Sequence, residues 1–359
     1  MAAGQRESAA EASAPATGLL EIEDLSVRYQ RGSSTLQAVS RVSATVDRGE
    51  VLGIVGESGS GKSTLARAML RLLPRTAEIT GEVRVDGRDL IGCSKRELRR
   101  RRWAEVSMVF QDAMNALNPV LRIGEQLMET IRLHDDVSKD EAARRSRELV
   151  EMVSLDERTL RRYPHELSGG MRQRVCIAMA FACNPRVVLA DEPTTALDVI
   201  TQDRVIAEML ELQARHDQTM VFISHDIALV SEVSNKIGVM YAGHLVEFGR
   251  VGQILFEPGH PYTMGLLNAF PRADIDRDVV SIPGDPARFE TIPGHCSFVA
   301  RCPFAQPVCA EEVPAPRSLA SGHWAACHFA SDAPELRTKA QDPATWRPAV
   351  AVAEPEVPA

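Results

Sequence analysis

The chain has 359 residues, a formal net charge of −8, 44% hydrophobic side chains and seven cysteines. That length suits one large domain with appendages, or two modest domains, and the apolar fraction is sufficient for a real core. The acidic balance argues against a nucleic-acid backbone as the main partner, and no stretch approaches the ~18 uninterrupted apolar residues of a spanning helix.

Residues 1–18 are rich in Ala, Ser and Glu, with no periodicity and no apolar signal core, and are expected to be a disordered tail. A cytosolic chain is therefore expected, and if it works at a membrane, other chains supply the spans. Leu20 to Tyr29 alternates as a strand does. Val51 to Val55 is a short apolar run between Gly49 and Gly56, which suits a buried strand. Lys62 to Leu73 has helical spacing up to Pro74. Val83, Val85 and the Asp86-Gly87 turn suggest a hairpin. Residues 112–174 are mostly helical and are expected to form a subdomain. Buried strands are expected at Val187 to Ala190 and Met220 to Ile223, with a helix from Asp203 to Arg215 between them. Val239 to Tyr241 and Leu245 to Phe248 flank Ala242-Gly243-His244 as a hairpin. Strands alternating with helices predict an α/β core with a parallel sheet. The division expected is a large α/β domain over 19–255, a proline-rich extension over 256–330 and a disordered tail over 331–359. The basic run Lys95 to Arg102 reads as a solvated helix.

Gly56-Glu57-Ser58-Gly59-Ser60-Gly61-Lys62-Ser63-Thr64 fits the P-loop pattern and sits between an expected strand and an expected helix. Glycines let backbone N–H groups curl around phosphate oxygens, and the helix N-terminus adds partial positive charge. Lys62 would reach the terminal phosphates of ATP, and the Ser63 hydroxyl would ligate Mg²⁺. The run Val187 to Ala190 ends in Asp191 and Glu192. Asp191 would help hold Mg²⁺, and Glu192 would polarise the attacking water as general base.

Leu167-Ser168-Gly169-Gly170-Met171-Arg172-Gln173-Arg174 resembles the signature motif of ABC ATPases. The resemblance implies that Ser168, Gly169, Gly170 and Gln173 face the γ-phosphate bound by an opposite subunit. It further implies that Tyr29 stacks on adenine and that Gln111, after Val109-Phe110, contacts Mg²⁺ and the attacking water. Ala196-Leu197-Asp198 looks like the D-loop, and His225 like the switch histidine. The fold implied is a P-loop ABC-type nucleotide-binding domain with a helical subdomain and a small cysteine-containing C-terminal extension.

Cys296, Cys302, Cys309 and Cys327 are spaced C-x5-C-x6-C-x17-C, in a region where a cysteine cluster reads as a metal site before it reads as disulfides. With His260-Pro261-Tyr262-Thr263, Ile282-Pro283-Gly284 and the stretch Phe110-Gln111-Asp112 through Leu117-Asn118-Pro119, this spacing resembles the ATPase subunits of oligopeptide/dipeptide (peptide/nickel) importers. The resemblance implies a [4Fe–4S] cluster on the four cysteines. Zinc and plain reduced thiols stay open as alternatives on the residues alone. It also implies a peripheral position on the cytoplasmic face of the inner membrane. The partners implied are two transmembrane permease subunits, an extracytoplasmic solute-binding protein and a second ATPase subunit, expected to be a paralogue. Nickel, opine and sugar importers use similar subunits, and a soluble ABC ATPase outside transport is the other class of alternative. Because none of the ATPase core's own motifs lies beyond His225, the ATPase part is expected to stand independently of the cysteine segment.

Overall fold

The computed structural model describes residues 18–32, 34–111, 116–194, 197–269, 281–285 and 294–346. Two sheets carry it. Strands β1 (Leu20–Arg31), β2 (Ser34–Val46), β4 (Ala77–Val85) and β5 (Arg88–Asp89) form an antiparallel sheet in the order β2-β1-β4-β5. The larger sheet has the order β11-β12-β10-β9-β3-β8-β7-β6. Its strands are β3 (Val51–Val55), β6 (Val106–Val109), β7 (Val187–Asp191), β8 (Thr219–Ile223), β9 (Lys236–Tyr241), β10 (His244–Arg250), β11 (Arg317–Ala320) and β12 (His323–Ala325). From β9 through β3, β8 and β7 to β6 the pairing is parallel; β9/β10, β10/β12 and β11/β12 are antiparallel.

The parallel strands are buried on both faces, which is why they read as continuous apolar runs. Alternate side chains serve opposite sides. Val188, Ala190, Met220 and Phe222 join one apolar cluster, packed against helices; Val187, Leu189, Val221 and Ile223 join another, shared with β1, β2 and β4. A slip of one residue in register would exchange the two sets.

The helices are α1 (Lys62–Met69), α2 (Lys95–Arg101), α3 (Ile123–His134), α4 (Lys139–Met152), α5 (Gly169–Phe181), α6 (Val199–Arg215), α7 (Ile227–Val233), α8 (Val251–Phe256), α9 (Pro261–Asn268), α10 (Pro307–Glu311) and α11 (Ala333–Ala340). Between β6 and β7 lie the helices α3, α4 and α5, and α5 runs to Phe181 rather than ending near residue 174. Its C-terminal half is buried and continues without a breaker into Ala182. In α2 the basic run is only partly solvated. Arg101 is buried, with its guanidinium donating to Glu105 and to the carbonyls of Arg88 and Asp89.

Three expectations about boundaries change. The 255/256 division falls inside α8. The extension is not merely loops, because its β11–β12 hairpin adds to the core sheet beside β10. At that seam the buried Glu247 accepts hydrogen bonds from the N–H groups of Gly259 and His260, and its Oε1 lies 2.9 Å from His323 Nε2. The expected disordered tail over 331–359 is also corrected for its first half. Residues 333–340 form α11, which packs on α9, and a short helical turn, Pro343–Trp346, follows. Trp346 is buried against Gly265 and Ile282, and its indole N–H donates to the Ala340 carbonyl. One aromatic anchor holds a segment whose composition reads as tail. Residues 1–17 and 347–359 lie outside the described residues.

Candidate nucleotide site

The parallel register brings the C-terminal ends of β3, β8, β7 and β6 to one edge, and the candidate residues follow those ends. β3 runs into the P-loop, β7 ends at Asp191 with Glu192 next, β8 leads to His225 and β6 leads to Gln111. Four segments distant in sequence therefore meet at the place where α/β sheets hold ligands.

The P-loop is built for close backbone packing. Gly61 has φ 101° and precedes α1; a Cβ there would sit 2.4 Å from the Ala38 carbonyl oxygen. At Gly56 a Cβ would come within 2.1 Å of the Met240 carbonyl oxygen. Both positions exclude a side chain on steric grounds. Lys62 is buried, its ammonium donating to the carbonyls of Gly56 at 2.7 Å and Glu57 at 2.9 Å. Burial lowers its pKa, opposed by Glu192, Asp191 and Glu57. The Ser63 hydroxyl donates to Asp191 Oδ1 at 2.7 Å. Asp191 is fully buried; burial raises its carboxyl pKa, while Ser63 and Arg67 pull it down. Its other oxygen, Oδ2, has no hydrogen-bond partner among the described residues, with Arg67 3.7 Å away. A buried carboxylate oxygen left over beside a serine hydroxyl is the donor set a hard divalent cation takes, so these residues fit Mg²⁺.

Glu192 has φ 45°, a left-handed conformation uncommon outside glycine, and its N–H donates to the Ile223 carbonyl. Gln111 Nε2 donates to Glu192 Oε2 at 3.3 Å, and His225 Nδ1 lies 3.5 Å from Glu192 Oε1. Gln111, Glu192 and His225 thus form one group beside the P-loop.

The signature residues stand elsewhere. Ser168 caps α5, its hydroxyl accepting the Met171 N–H at 3.3 Å, with Gly169 and Gly170 opening the helix. Gln173 is buried and donates to the Pro193 carbonyl, tying the signature helix to the loop after Glu192. Asp198 caps α6, accepting from the N–H of Thr201 at 3.0 Å and its hydroxyl at 2.8 Å. No hydrogen bond or ion pair joins Ser168, Gly169 or Gly170 to residues 56–64 among the described residues. Tyr29 is half-buried on β1, opposite Leu36 and Ala77. Ala196 and residues 112–115 lie outside the described residues.

Three residues that sequence reasoning missed belong to this site. Arg67 faces Asp191 one turn into α1. From the C-terminal region, the Tyr262 hydroxyl accepts the Glu57 N–H at 2.9 Å, and the Arg301 guanidinium grips the Glu57 carboxylate at 2.7 and 2.9 Å. Arg301 stands in the stretch Arg301-Cys302-Pro303 and Tyr262 in His260-Pro261-Tyr262-Thr263, which marked the segments for the family resemblance but gave neither residue a role. These contacts correct the expectation that the ATPase part stands apart from the cysteine segment.

Cys296, Cys302, Cys309 and Cys327 line one cavity with Phe298, Phe304 and Phe329, and none is in a disulfide. Burial pushes the Cys296, Cys302 and Cys327 thiols up, Cys327 to about 11. Among the described residues no group of three or more His, Cys, Asp or Glu side chains is arranged to hold a metal ion. The expectation of an assembled metal site there is therefore not met as the side chains stand.

The family model for the ABC transporter matches residues 39–195, and the one for the oligopeptide/dipeptide transporter C-terminal region matches 246–309. The chain is 42% identical over 324 residues to the oligopeptide transport ATP-binding protein OppD of Salmonella typhimurium, covering 89% of this chain and 96% of that one. It is 44% identical over 319 residues to the dipeptide transport ATP-binding protein DppD of Escherichia coli, covering 88% and 97%. Among solved structures, the ATP-binding cassette MJ0796, a dimer in a post-hydrolysis state bound to ADP and Pi, is 30% identical with a TM-score of 0.59, covering 65% of this chain and 98% of that one. No helix among the described residues is long and apolar enough to cross a membrane. The P-loop edge, the capped signature helix and relatives aligned over most of their length lead to one conclusion: this chain belongs to the ATP-binding subunits of the oligopeptide/dipeptide ABC transporters.

Proposed function

We propose that this chain hydrolyses ATP to power an ABC importer for peptides or a similar small solute across the cytoplasmic membrane, at whose inner face it sits peripherally. The observation that carries this reading is the meeting of Asp191, Glu192, Gln111 and His225 at the edge where the P-loop begins. The backbone N–H groups of 56–64 and the Lys62 ammonium bind the phosphates, and Tyr29 stacks on adenine. Ser63, Asp191 and Gln111 are the residues that hold Mg²⁺, which when bound neutralises charge on the phosphate oxygens. Glu192 takes a proton from water as the water oxygen bonds to the γ-phosphorus and the bond to the ADP oxygen breaks. His225 orients Glu192 and contacts the γ-phosphate. Ser168, Gly169, Gly170 and Gln173 complete the site of a second ATPase subunit, a paralogue, in a head-to-tail pair, with Asp198 at the seam. This arrangement is supported by the lack of any hydrogen bond or ion pair from Ser168, Gly169 or Gly170 to residues 56–64 among the described residues, and by the dimeric state of the MJ0796 cassette.

The ATPase domain covers about 19–255, its boundary falling within α8, and the C-terminal region runs on through Trp346. Two permease subunits and an extracytoplasmic binding protein complete the transporter. The four cysteines hold a [4Fe–4S] cluster. The reading is supported by their lining one cavity; four thiolates are the usual ligand set of such a cluster, and zinc is the alternative.

Reconstitution with the permeases and binding proteins that co-purify from native membranes tests the substrate class. ATP-dependent uptake of a labelled peptide is expected; uptake of nickel or a sugar with none of peptide overturns it.

A further inference from the structure

Glu57 is tied at every polar group it has. Its N–H donates to the Tyr262 hydroxyl, its carbonyl accepts the Lys62 ammonium, and its carboxylate takes both arms of the Arg301 guanidinium. Two of these three ties come from beyond residue 256. Arg301 is itself fixed. Its Nε donates to the Pro283 carbonyl at 2.8 Å, its Nη1 lies 3.4 Å from the Tyr241 hydroxyl, and it is almost wholly buried. Tyr262 is fully buried, with ring centroids 4.6 Å from Tyr241 and 5.4 Å from Phe298. The next residue after Arg301 is Cys302, which lines the four-cysteine cavity, as does Phe298.

A P-loop binds phosphate because its N–H groups already point inward, so whatever fixes its first turn fixes affinity. Arg301 grips Glu57 in the bidentate form that sets geometry as well as strength. We propose that Arg301, with Tyr262, is a positioning residue for nucleotide binding: it acts through Glu57 to hold the entry of the P-loop, so that the C-terminal region sets the affinity for ATP. Arg301 does not touch the nucleotide. Losing it would both free the loop entry and leave a carboxylate uncompensated beside the phosphates, and the two effects weaken binding together. The inference rests on the reading of 56–64 as the nucleotide loop.

The test uses the full-length chain and equilibrium binding of a fluorescent ATP analogue with Mg²⁺. Arg301→Met is expected to raise Kd roughly tenfold, the scale of a lost hydrogen-bonded charge contact. Arg301→Lys keeps the charge but not the fork, and should recover part of that loss. Glu57→Gln keeps the backbone and shape, and should weaken binding at least about threefold. In the Glu57→Gln background, Arg301→Met should change Kd less than about twofold, because its target is gone. Full additivity of the two changes, or an unaltered Kd in the folded single variants, overturns the proposal. If Arg301→Met does not fold, Arg301→Lys and Glu57→Gln carry the test, and unchanged binding in both overturns it. Lys62→Ala separates the two levels: normal binding by that variant refutes the nucleotide-loop reading itself, whereas its loss beside unaffected Arg301 variants refutes only the inference.

Discussion

His225 Nδ1 stands 3.5 Å from Glu192 Oε1, although the two residues leave the sheet from different strands. Adjacent parallel strands β7 and β8 end in register, Asp191 opposite Ile223, and so set down a carboxylate and an imidazole side by side. Glu192 is held in its left-handed conformation by its N–H bond to Ile223.

That pairing makes Glu192→Gln the first variant to examine. It should lower ATP turnover by at least about a hundredfold, since it removes the proton acceptor, while leaving ATP binding intact. Turnover measured by phosphate release and binding measured separately decide it; near-normal turnover would remove Glu192 from the mechanism.

Ser168→Arg should abolish ATP-driven uptake by the assembled transporter while the chain's own P-loop binds ATP as before. Ser168 caps α5, and neither it nor Gly169 nor Gly170 makes a hydrogen bond to residues 56–64 among the described residues. A collapse of this chain's own ATP affinity would show that the signature helix serves its own P-loop instead.

Protein purified anaerobically should be brown and hold about four irons per chain, as a four-thiolate cluster requires. Cys302→Ser should lose the iron and make residues 294–346 protease-sensitive. One zinc and no iron would replace the cluster with a single-ion staple, and no metal with an unchanged digestion pattern would leave only thiols packed in a cavity.

Trp346→Ala should release the last helical segment without unfolding the ATPase core. Large-to-small substitution at a buried aromatic costs about 3–5 kcal/mol, and here the loss falls on α11 and its contact with α9. Limited proteolysis should cut within 333–346 in the variant alone; a lowered melting temperature of the whole chain would show instead that this segment is part of the global core.

The nucleotide site was legible because its chemistry is local. A P-loop, an apolar strand ending in two acids and a capped glycine pair each declare themselves within about ten residues. The parallel strands β3, β7 and β8 were equally readable as apolar runs, whereas β6 is only four residues long and was not legible as a strand. β2 was not: of its thirteen residues only the end, with Val42, Ala44 and Val46, alternates cleanly, and the phase breaks at Val39, where the register with β1 shifts. β12 is three residues long and exists because β10 offers it an edge. Arg301 and Tyr262 acquire meaning only from a contact with Glu57 across more than two hundred residues. α11 was hidden for a related reason, since Trp346 is the only aromatic in its stretch and its partners Gly265 and Ile282 lie far upstream.

The seam between β10 and β12 sets a schedule for synthesis. Glu247 and its partner His323 are 76 residues apart in the chain. At ribosomal rates of about 5–20 residues per second, on the order of 4 to 15 seconds separate their emergence. During that interval a nascent chain carries an unpaired strand edge and a carboxylate that lacks its imidazole partner. Translational pausing or premature termination between residues 250 and 323 would therefore leave a nearly complete nucleotide-binding sheet with one raw edge, the form most open to capture by chaperones or to edge-to-edge association.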